Sequence, residues 1–444
     1  MTSDALPHEV FDVVGIGFGP SNLALAIAVD EHNRRHPEVA LRAVFLEKQA
    51  GFGWHRGMLI DDATMQVSFL KDLVTMRDPA SDFSFLCYLR DRDRLVEFIN
   101  HKTMFPLRTE FHDYFEWAAA RVADQVRYGT EVVSVRPVEV AGQVEHLDVI
   151  AHRPDGTVVT CRARNVVVAT GLRPRLPADA VTSERVWHNI ELMHRIGDLV
   201  ATKPRRVLVV GAGQSGAETV AELHTALPDA EVCAVFARYG YAPADDSPFA
   251  NRIFDPRAVD HFYGAPEDVK QMLLDYHRNT NYSVVDMDLI EDLYRREYRE
   301  LVTGRKRLDI RNASRVTYTR ETDDAVYVTV EFLPTGETQT IQCDAVVYAT
   351  GYTPGDVFDL LGRAASVCER GPEGRPVLAR DYRLRTAPGV RAGIYLQGGT
   401  EHAHGITATL LSNTAVRVGE ILESVLTDAP AQAVTAETSV FALG

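Results

Sequence analysis

An α/β chain with two parallel-sheet units and a helical insert is predicted by three observations. The first is the stretch Phe11-Asp12-Val13-Val14-Gly15-Ile16-Gly17-Phe18-Gly19-Pro20-Ser21-Asn22, an apolar run that meets closely spaced glycines and then a helix opening. The second is Val207-Leu208-Val209-Val210-Gly211-Ala212-Gly213-Gln214-Ser215-Gly216-Ala217-Glu218, which repeats that plan about 200 residues later. The third is a short element that occurs twice after apolar runs, Ala169-Thr170-Gly171 and Ala349-Thr350-Gly351.

The glycines of each turn allow a tight bend and let backbone approach a pyrophosphate. The helix that follows supplies free N–H groups and the positive end of its dipole to that anion. Pro20 stands at the third glycine position of the first turn and suits a first helical turn, where its missing N–H has no intrahelical partner to lose. One such turn alone also fits a strand–turn–helix that binds nothing. Two in one chain, with two Ala-Thr-Gly elements, point to two Rossmann-like dinucleotide-binding domains, one for a flavin (FAD) and one for a nicotinamide (NADPH).

The first unit, residues 1–200, opens with a strand near 10–15, a helix from Ser21 to about Asn33 and a strand Leu41–Leu46 that ends at Glu47, an acidic residue suited to ribose hydroxyls. Residues 48–80 carry Gly51, Gly53, Gly57 and Pro79 with little periodicity and read as a long functional loop. A helix is expected over Asp113–Asp124, a returning strand over Gln125–Val135, and a strand pair about the turn Asp155-Gly156. The second unit begins over 201–242, with a strand Glu231–Phe236 leading to Arg238. Residues 243–305 are polar and helical, rich in Asn, Asp, Tyr and Arg, and read as a substrate lobe inserted into that unit. Residues 306–345 complete the second unit with strands around Arg315–Phe332 and Gln339–Tyr348, and 346–444 return to the first, with a loose tail beyond about Thr427.

At 444 residues the chain has room for two or three domains, and 45% hydrophobic with 25% charged residues is ordinary for a globular protein. A net charge of −15 argues against nucleic acid or an anionic membrane as partner. No run of 18 apolar residues occurs, and the stretch Met1–Glu9 lacks the basic and apolar regions of a secretory signal, so a cytoplasmic protein is expected. Five scattered cysteines form no CxxC pair, which leaves no support for a zinc ribbon or a redox disulfide. His402 and His404 lie two apart with no third ligand nearby; no metal is expected, and the pair is placed in the turn before a helix opening near Ile406 whose N-terminus could face a flavin.

Several side chains admit a sharp and a bland reading. Arg238 stands where an adenosine 2′-phosphate would lie, or is a surface arginine. Lys71 interrupts a mostly apolar stretch, Met65 to Leu73, either as an exposed lysine or as the counter-charge of a substrate carboxylate. Asn251 and Asn281 are neutral groups for a substrate, or turn and cap residues. Ser215 and Ser412 lack the Gly-x-Ser-x-Gly context of a nucleophile.

Together these residues resemble the flavin-dependent N-hydroxylating monooxygenases, the L-ornithine/L-lysine N-monooxygenase family of siderophore biosynthesis, over about residues 10–420. The pieces that carry the resemblance are Gly15 to Asn22, Trp54-His55-Arg56-Gly57-Met58, Met65 to Leu73, Ala244 to Asn251, Thr280-Asn281-Tyr282-Ser283-Val284-Val285, and His404-Gly405 through Leu410-Leu411-Ser412. It is closest to the ornithine branch. The resemblance implies that Gly15, Gly17, Gly19, Pro20, Glu47, Trp54, His55, Gln66 and Leu410 line FAD, and that Gly211, Gly213, Gln214, Ser215 and Arg238 hold NADPH. It implies substrate contacts from Lys71, at the carboxylate, and from Asn251, Asn281 and Ser412, with Gln214, Asn281 and Lys71 at the reacting centre. The basic residue for the 2′-phosphate is displaced by one position from its place in some members, which weakens the transfer to Arg238.

The implied reaction is hydroxylation of the ornithine N5 amine through a C4a-hydroperoxyflavin, with molecular oxygen as co-substrate. It would supply a hydroxamate precursor to a downstream natural-product synthetase, and the family suggests a homotetramer. The attacking amine must be neutral although a free alkylamine has a pKa of about 10.4. A desolvated site with amide partners lowers it, which suits asparagines better than carboxylates. Lys71 disfavours a diamine, whose second ammonium would face it. L-lysine N6-hydroxylation stays open, because one methylene is worth only about 1–3 kcal/mol in a pocket. A disulfide reductase would need the cysteine pair, and a Baeyer–Villiger enzyme would carry Phe-x-Gly-x-x-x-His, absent between Pro174 and His194. A non-catalytic flavin-binding sensor would leave the substrate-lobe motifs without a use.

Overall fold

The computed structural model describes residues 9–277 and 280–427. The tail beyond Thr427, expected to be loose, lies outside the described residues. Two sheets organise the chain. The first runs in the order Val126–Arg127, Ala43–Leu46, Val10–Ile16, Val158–Val168, Gln143–His152, Glu131–Val140, and Gly393–Leu396 also pairs with Val158–Val168. Its nucleotide-binding half is parallel, from Val126–Arg127 across to Val158–Val168 and Gly393–Leu396. The second sheet is parallel throughout, in the order Leu308–Arg311, Glu231–Val235, Arg206–Val210, Ala345–Tyr348, Val186–His188. Such strands are covered on both faces and read as continuous Val-rich runs, as Val207 to Val209 and Ala345 to Val347 do, all at most 1% exposed.

The two glycine turns are built alike. In the first, Ala169 N donates to Ile16 O at 2.8 Å, and in the second Ala349 N donates to Val210 O at 2.8 Å. Each Ala-Thr-Gly element thus sits against its glycine turn. A Cβ on Gly17 (φ +82°) would lie 2.5 Å from Ala169 O, and one on Gly211 (φ +143°) 2.2 Å from Ala349 O, so a side chain at either position is barred by space and by conformation. Beyond these elements the chain forms a two-stranded antiparallel ribbon, Leu172–Pro174 with Tyr352–Pro354, which joins the two units.

Helix Pro20–Arg35 has Pro20 at its start and is buried almost all round, from Leu23 to Val29, because the sheet covers one side and helix Thr414–Thr427 the other. Helix Arg108–Ala120 contributes Phe111, Tyr114 and Phe115 to an aromatic core with Phe85 and Tyr88. The expected strand over 125–135 is divided. Only Val126–Arg127 pairs with Ala43–Leu46; the chain turns at Gly129 and starts a hairpin, Glu131–Val140 with Gln143–His152. Two short helices, Phe85–Asp91 and Leu95–His101, lie outside the expected elements; the first begins where Ser84 Oγ accepts from Cys87 N at 3.2 Å and Asp72 accepts from Phe85 N at 2.8 Å.

The crossings between units fall at different residues from those expected. Val186–His188 is a strand of the second sheet and helix Leu192–Ala201 packs beside helix Gln214–Ala226, so the second unit begins before residue 201. Residues 243–305 hold two kinds of helix. Met287–Thr303 is the crossover between Glu231–Val235 and Leu308–Arg311, with Leu293 in the second unit's core and His224 Nε2 2.7 Å from Glu300 Oε1. Pro256–Gly264 instead docks on the first unit, where Tyr263 Oη donates to Leu378 O at 3.1 Å and Arg380 Nε to Asp260 Oδ1 at 2.7 Å.

Gly211→Ala is expected to cost about 3 kcal/mol, because both φ and the Ala349 carbonyl oppose the added methyl. Gly19→Ala, with nothing within 4 Å of an added Cβ, should cost only about 1 kcal/mol, the loss of a glycine N-cap. Denaturant melts of the two variants check this contrast.

Candidate active site

Both turns open on one continuous cavity of about 2630 Å³. A pocket for one drug-sized ligand is roughly 300–1,000 Å³, so this volume suits two dinucleotides and a small substrate. In the first turn the helix has Gly19 as N-cap without a side-chain cap, and its first intrahelical bond is Leu23 N to Gly19 O at 2.9 Å. Pro20 brings no N–H, which leaves those of Ser21 and Asn22 ahead of that bond for an anion. Glu47, 6% exposed, accepts from Phe18 N at 2.7 Å and from Gln49 N at 2.8 Å, and still fronts the cavity. Of the residues expected at the flavin, Gly17, Gly19, Pro20, Glu47, Trp54, His55, Gln66 and Leu410 line this cavity. Gly15 is not among the lining residues: it lies within strand Val10–Ile16, where an added Cβ would fall 2.2 Å from the Phe45 ring. Its part is packing behind the turn.

His55 adopts a left-handed backbone (φ +48°), and its ring meets those of Trp54 at 4.9 Å and Tyr352 at 5.8 Å. Surrounding protein, with the Arg108 charge adding to it, pushes its imidazole down to about 4, so it is neutral at pH 7. His404 is likewise pushed down to about 4 by burial; it stacks on Tyr382 at 4.1 Å and bonds Arg380 O at 3.1 Å. His402 bonds Pro376 O at 2.9 Å, and the two histidines fall in a short helix, Glu401–His404, that precedes the turn of 3-10 helix Ile406–Thr409.

In the second turn Gly211, Gly213, Gln214 and Ser215 line the same cavity, and helix Gln214–Ala226 again has a glycine N-cap, Gly213, without a side-chain cap. Arg238 reaches this mouth: Nη1 donates to Ser283 O at 2.7 Å, and Ser283 Cα would lie 3.4 Å from a Cβ on Gly213. A guanidinium held by a neutral carbonyl remains available to a phosphate.

At the other end, Lys71, Asn251, Asn281 and Ser412 also converge on the cavity, although they come from four separate segments. Lys71 is half-buried, with Nζ 5.8 Å from the Phe254 ring centroid. Burial lowers its pKa, opposed by the charge of Asp255. Its neighbour Asp72 fixes the loop, accepting from Val74 N at 3.0 Å, Thr75 N at 2.7 Å, Thr75 Oγ1 at 2.9 Å and Phe85 N at 2.8 Å. Burial still raises the Asp72 pKa against those bonds. Asn251 Nδ2 donates to Asp246 O at 2.8 Å, which leaves its carbonyl oxygen as the acceptor it can offer a ligand.

Sequence reasoning missed the contact that joins the two units across this cavity. Arg108, at the start of helix Arg108–Ala120, makes a bidentate pair with Glu218 at 2.9 and 2.7 Å, the side chains being 12% and 6% exposed. Glu218 Oε1 also accepts from Gln214 Nε2 at 2.9 Å, while Gln214 Oε1 accepts from Asp286 N at 2.7 Å. Gln214 is thereby held at both ends of its amide. The four-residue spacing of Gln214 and Glu218 on one helix face was the available signal; the partner 110 positions away had none.

Residues 9–354 match the family described as L-lysine 6-monooxygenase/L-ornithine 5-monooxygenase. The chain is 38% identical over 426 residues to an L-ornithine N(5)-monooxygenase of Pseudomonas aeruginosa, covering 95% of each. Its fold superposes with a TM-score of 0.90 on the ornithine N-hydroxylase of Kutzneria sp. 744 with reduced FAD, NADP⁺ and L-ornithine, at 47% identity over 94% of this chain and 99% of that one. An L-lysine 6-monooxygenase of Pseudomonas syringae gives a TM-score of 0.84 at 30% identity, covering 95% and 100%.

Removing one partner of a buried ion pair leaves the other charge uncompensated. Glu218→Ala should therefore cost about 3 kcal/mol in a denaturant melt. It should also raise the NADPH KM, because Gln214 loses one of its two anchors; steady-state kinetics at saturating amine measures this.

Proposed function

The chain belongs to the L-lysine 6-monooxygenase/L-ornithine 5-monooxygenase family, and on that premise we propose how its own residues hydroxylate L-ornithine. It is an FAD- and NADPH-dependent L-ornithine N5-monooxygenase. The single observation that carries the residue assignment is the shared cavity, into which both nucleotide turns and the side chains of Lys71, Asn251, Asn281 and Ser412 open.

Bound FAD would supply the redox chemistry, with NADPH as hydride donor and O₂ as oxidant, one oxygen atom going to the substrate nitrogen and the other to water. The first turn, at the start of helix Pro20–Arg35, would hold the FAD diphosphate, with Glu47, Trp54, His55, Gln66 and Leu410 lining the rest of its site. The second turn would hold NADPH through Gly211, Gly213, Ser215 and Arg238, with Gln214 fixed by Glu218 and Asp286 N.

Lys71 anchors the substrate α-carboxylate. Its half-buried ammonium gains most from an anion because solvent screens it little. Asn251 and Asn281 receive the side-chain amine. Neutral amides give hydrogen bonds without stabilising an ammonium as a carboxylate would, and so favour the reactive neutral amine. Ser412, 4% exposed, closes the substrate end of the cavity. The greater likeness to ornithine enzymes supports ornithine over lysine. No helix among the described residues is long and apolar enough to cross a membrane. We read the enzyme as a cytoplasmic homotetramer whose hydroxylated product feeds a synthetase that builds a hydroxamate siderophore or related peptide.

Purified protein with FAD and NADPH should form hydroxylamine from L-ornithine, and much less from L-lysine or putrescine. Product mainly from lysine would move the substrate assignment. Product mainly from putrescine would remove the carboxylate anchor. Lys71→Ala should raise the ornithine KM about 10–100-fold, the worth of a charged hydrogen bond, while NADPH oxidation persists; an unchanged KM takes Lys71 out of the site. Because burial lowers the Lys71 pKa from 10.5, its ammonium is lost at a lower pH than that of an exposed lysine. The ornithine KM should then rise toward alkaline pH, and Lys71→Arg should shift that rise to higher pH in a KM–pH profile.

A further inference from the structure

Helix Thr414–Thr427 buries an arginine among its apolar positions. Arg417 is 2% exposed, and its guanidinium reaches only neutral oxygens. Nη1 donates to Ala408 O at 2.6 Å, Nη2 to Ser21 Oγ at 3.0 Å and to Thr414 Oγ1 at 3.2 Å, and Nε to Gln397 Oε1 at 3.3 Å. Among the described residues no ion pair includes Arg417; the charge of Glu420, one turn along, acts on it without a hydrogen bond, the Glu420 oxygens being engaged by Arg380 at 2.9 and 3.0 Å. A guanidinium stays protonated, and a buried cation is tolerated when an anion balances it.

The position of this cation matters more than its burial. Ser21 is the second residue of helix Pro20–Arg35, and it fronts the cavity at the turn that receives the flavin diphosphate. Gln397, Arg417's third side-chain partner, also donates to Ser21 O at 3.3 Å and to Asn22 Oδ1 at 3.0 Å. Arg417 is thus bound directly and through Gln397 to the residues that open that helix. Because Ser21 Oγ accepts from a guanidinium, which accepts nothing in return, its own proton must point elsewhere. Among the described residues it donates to no protein acceptor, and the cavity lies in front of it.

We propose that Arg417 is a positioning residue for FAD: it holds the Ser21 hydroxyl as a donor toward the diphosphate and supplies the buried charge that the diphosphate balances. Arg417 does not line the cavity and acts through Ser21 and through its charge. The inference rests on FAD occupying the first turn.

The test is FAD titration into deflavinated protein, read by quenching of flavin fluorescence, for wild type, Arg417→Met, Arg417→Lys, Ser21→Ala and the double variant Ser21→Ala/Arg417→Met. Arg417→Met should weaken FAD about 30-fold or more, and Arg417→Lys should recover most of that loss because it restores the charge. Ser21→Ala alone should cost about tenfold, and adding it to Arg417→Met should cost less than about twofold more, since the hydroxyl is already released. Losses that multiply fully in the double variant, or Arg417→Lys no better than Arg417→Met, would overturn the proposal. Should Arg417→Met fail to fold, Ser21→Ala decides alone, an unchanged FAD affinity being fatal to it. Wild-type protein that takes up no FAD would instead sink the assignment of the first turn and the inference with it.

Discussion

Two backbone contacts govern this molecule: Gly17 against the Ala169 carbonyl and Gly211 against the Ala349 carbonyl. At each, the tip of one parallel strand lies so close to the next that no Cβ fits, and the following helix is forced to begin at the sheet edge with bare N–H groups. Because the Ala-Thr-Gly elements run on into the paired ribbon Leu172–Pro174 and Tyr352–Pro354, the two sites face a common space. Anion binding, strand order and the joint between units all descend from that close approach.

The site is assembled from cations held by neutral groups. Arg238 leans on the Ser283 carbonyl, Arg417 on four neutral oxygens, and Lys71 on the face of Phe254. None of the three is satisfied by a carboxylate hydrogen bond. Arg108 differs from these three, its pair with Glu218 being closed and bidentate. It fastens one unit to the other and, through Glu218, fixes Gln214.

How much of this was legible in the sequence follows the range of each interaction. The turns, Glu47 and the Val-rich strands are local patterns, and all were readable. Lys71, Asn251 and Asn281 stood out locally only as residues with two readings, and Ser412 was named through resemblance alone, since nothing local says that four distant segments share a cavity. The Arg108–Glu218 pair was invisible because it spans 110 positions. The need for glycine at position 15 was not legible, because the Phe45 ring that an added Cβ would meet lies 30 residues away. Unit boundaries shifted for a similar reason: Val186–His188 is too short to announce which sheet it joins. Arg417 did carry a signal, an arginine on the same helical face as Val418, Ile421 and Val425.

The two units differ in when they can exist during synthesis. Every strand of the second sheet lies between Val186 and Tyr348, so that unit can close as soon as its last strand leaves the ribosome. The first sheet waits for Gly393–Leu396, and its first helix waits for Thr414–Thr427 to cover it. A nascent chain therefore completes its second sheet before its first, although the first glycine turn is made first. Until the final helix arrives, Leu23 to Val29 lack their lid, and the apolar flank of that helix is the surface a chaperone would have to shield.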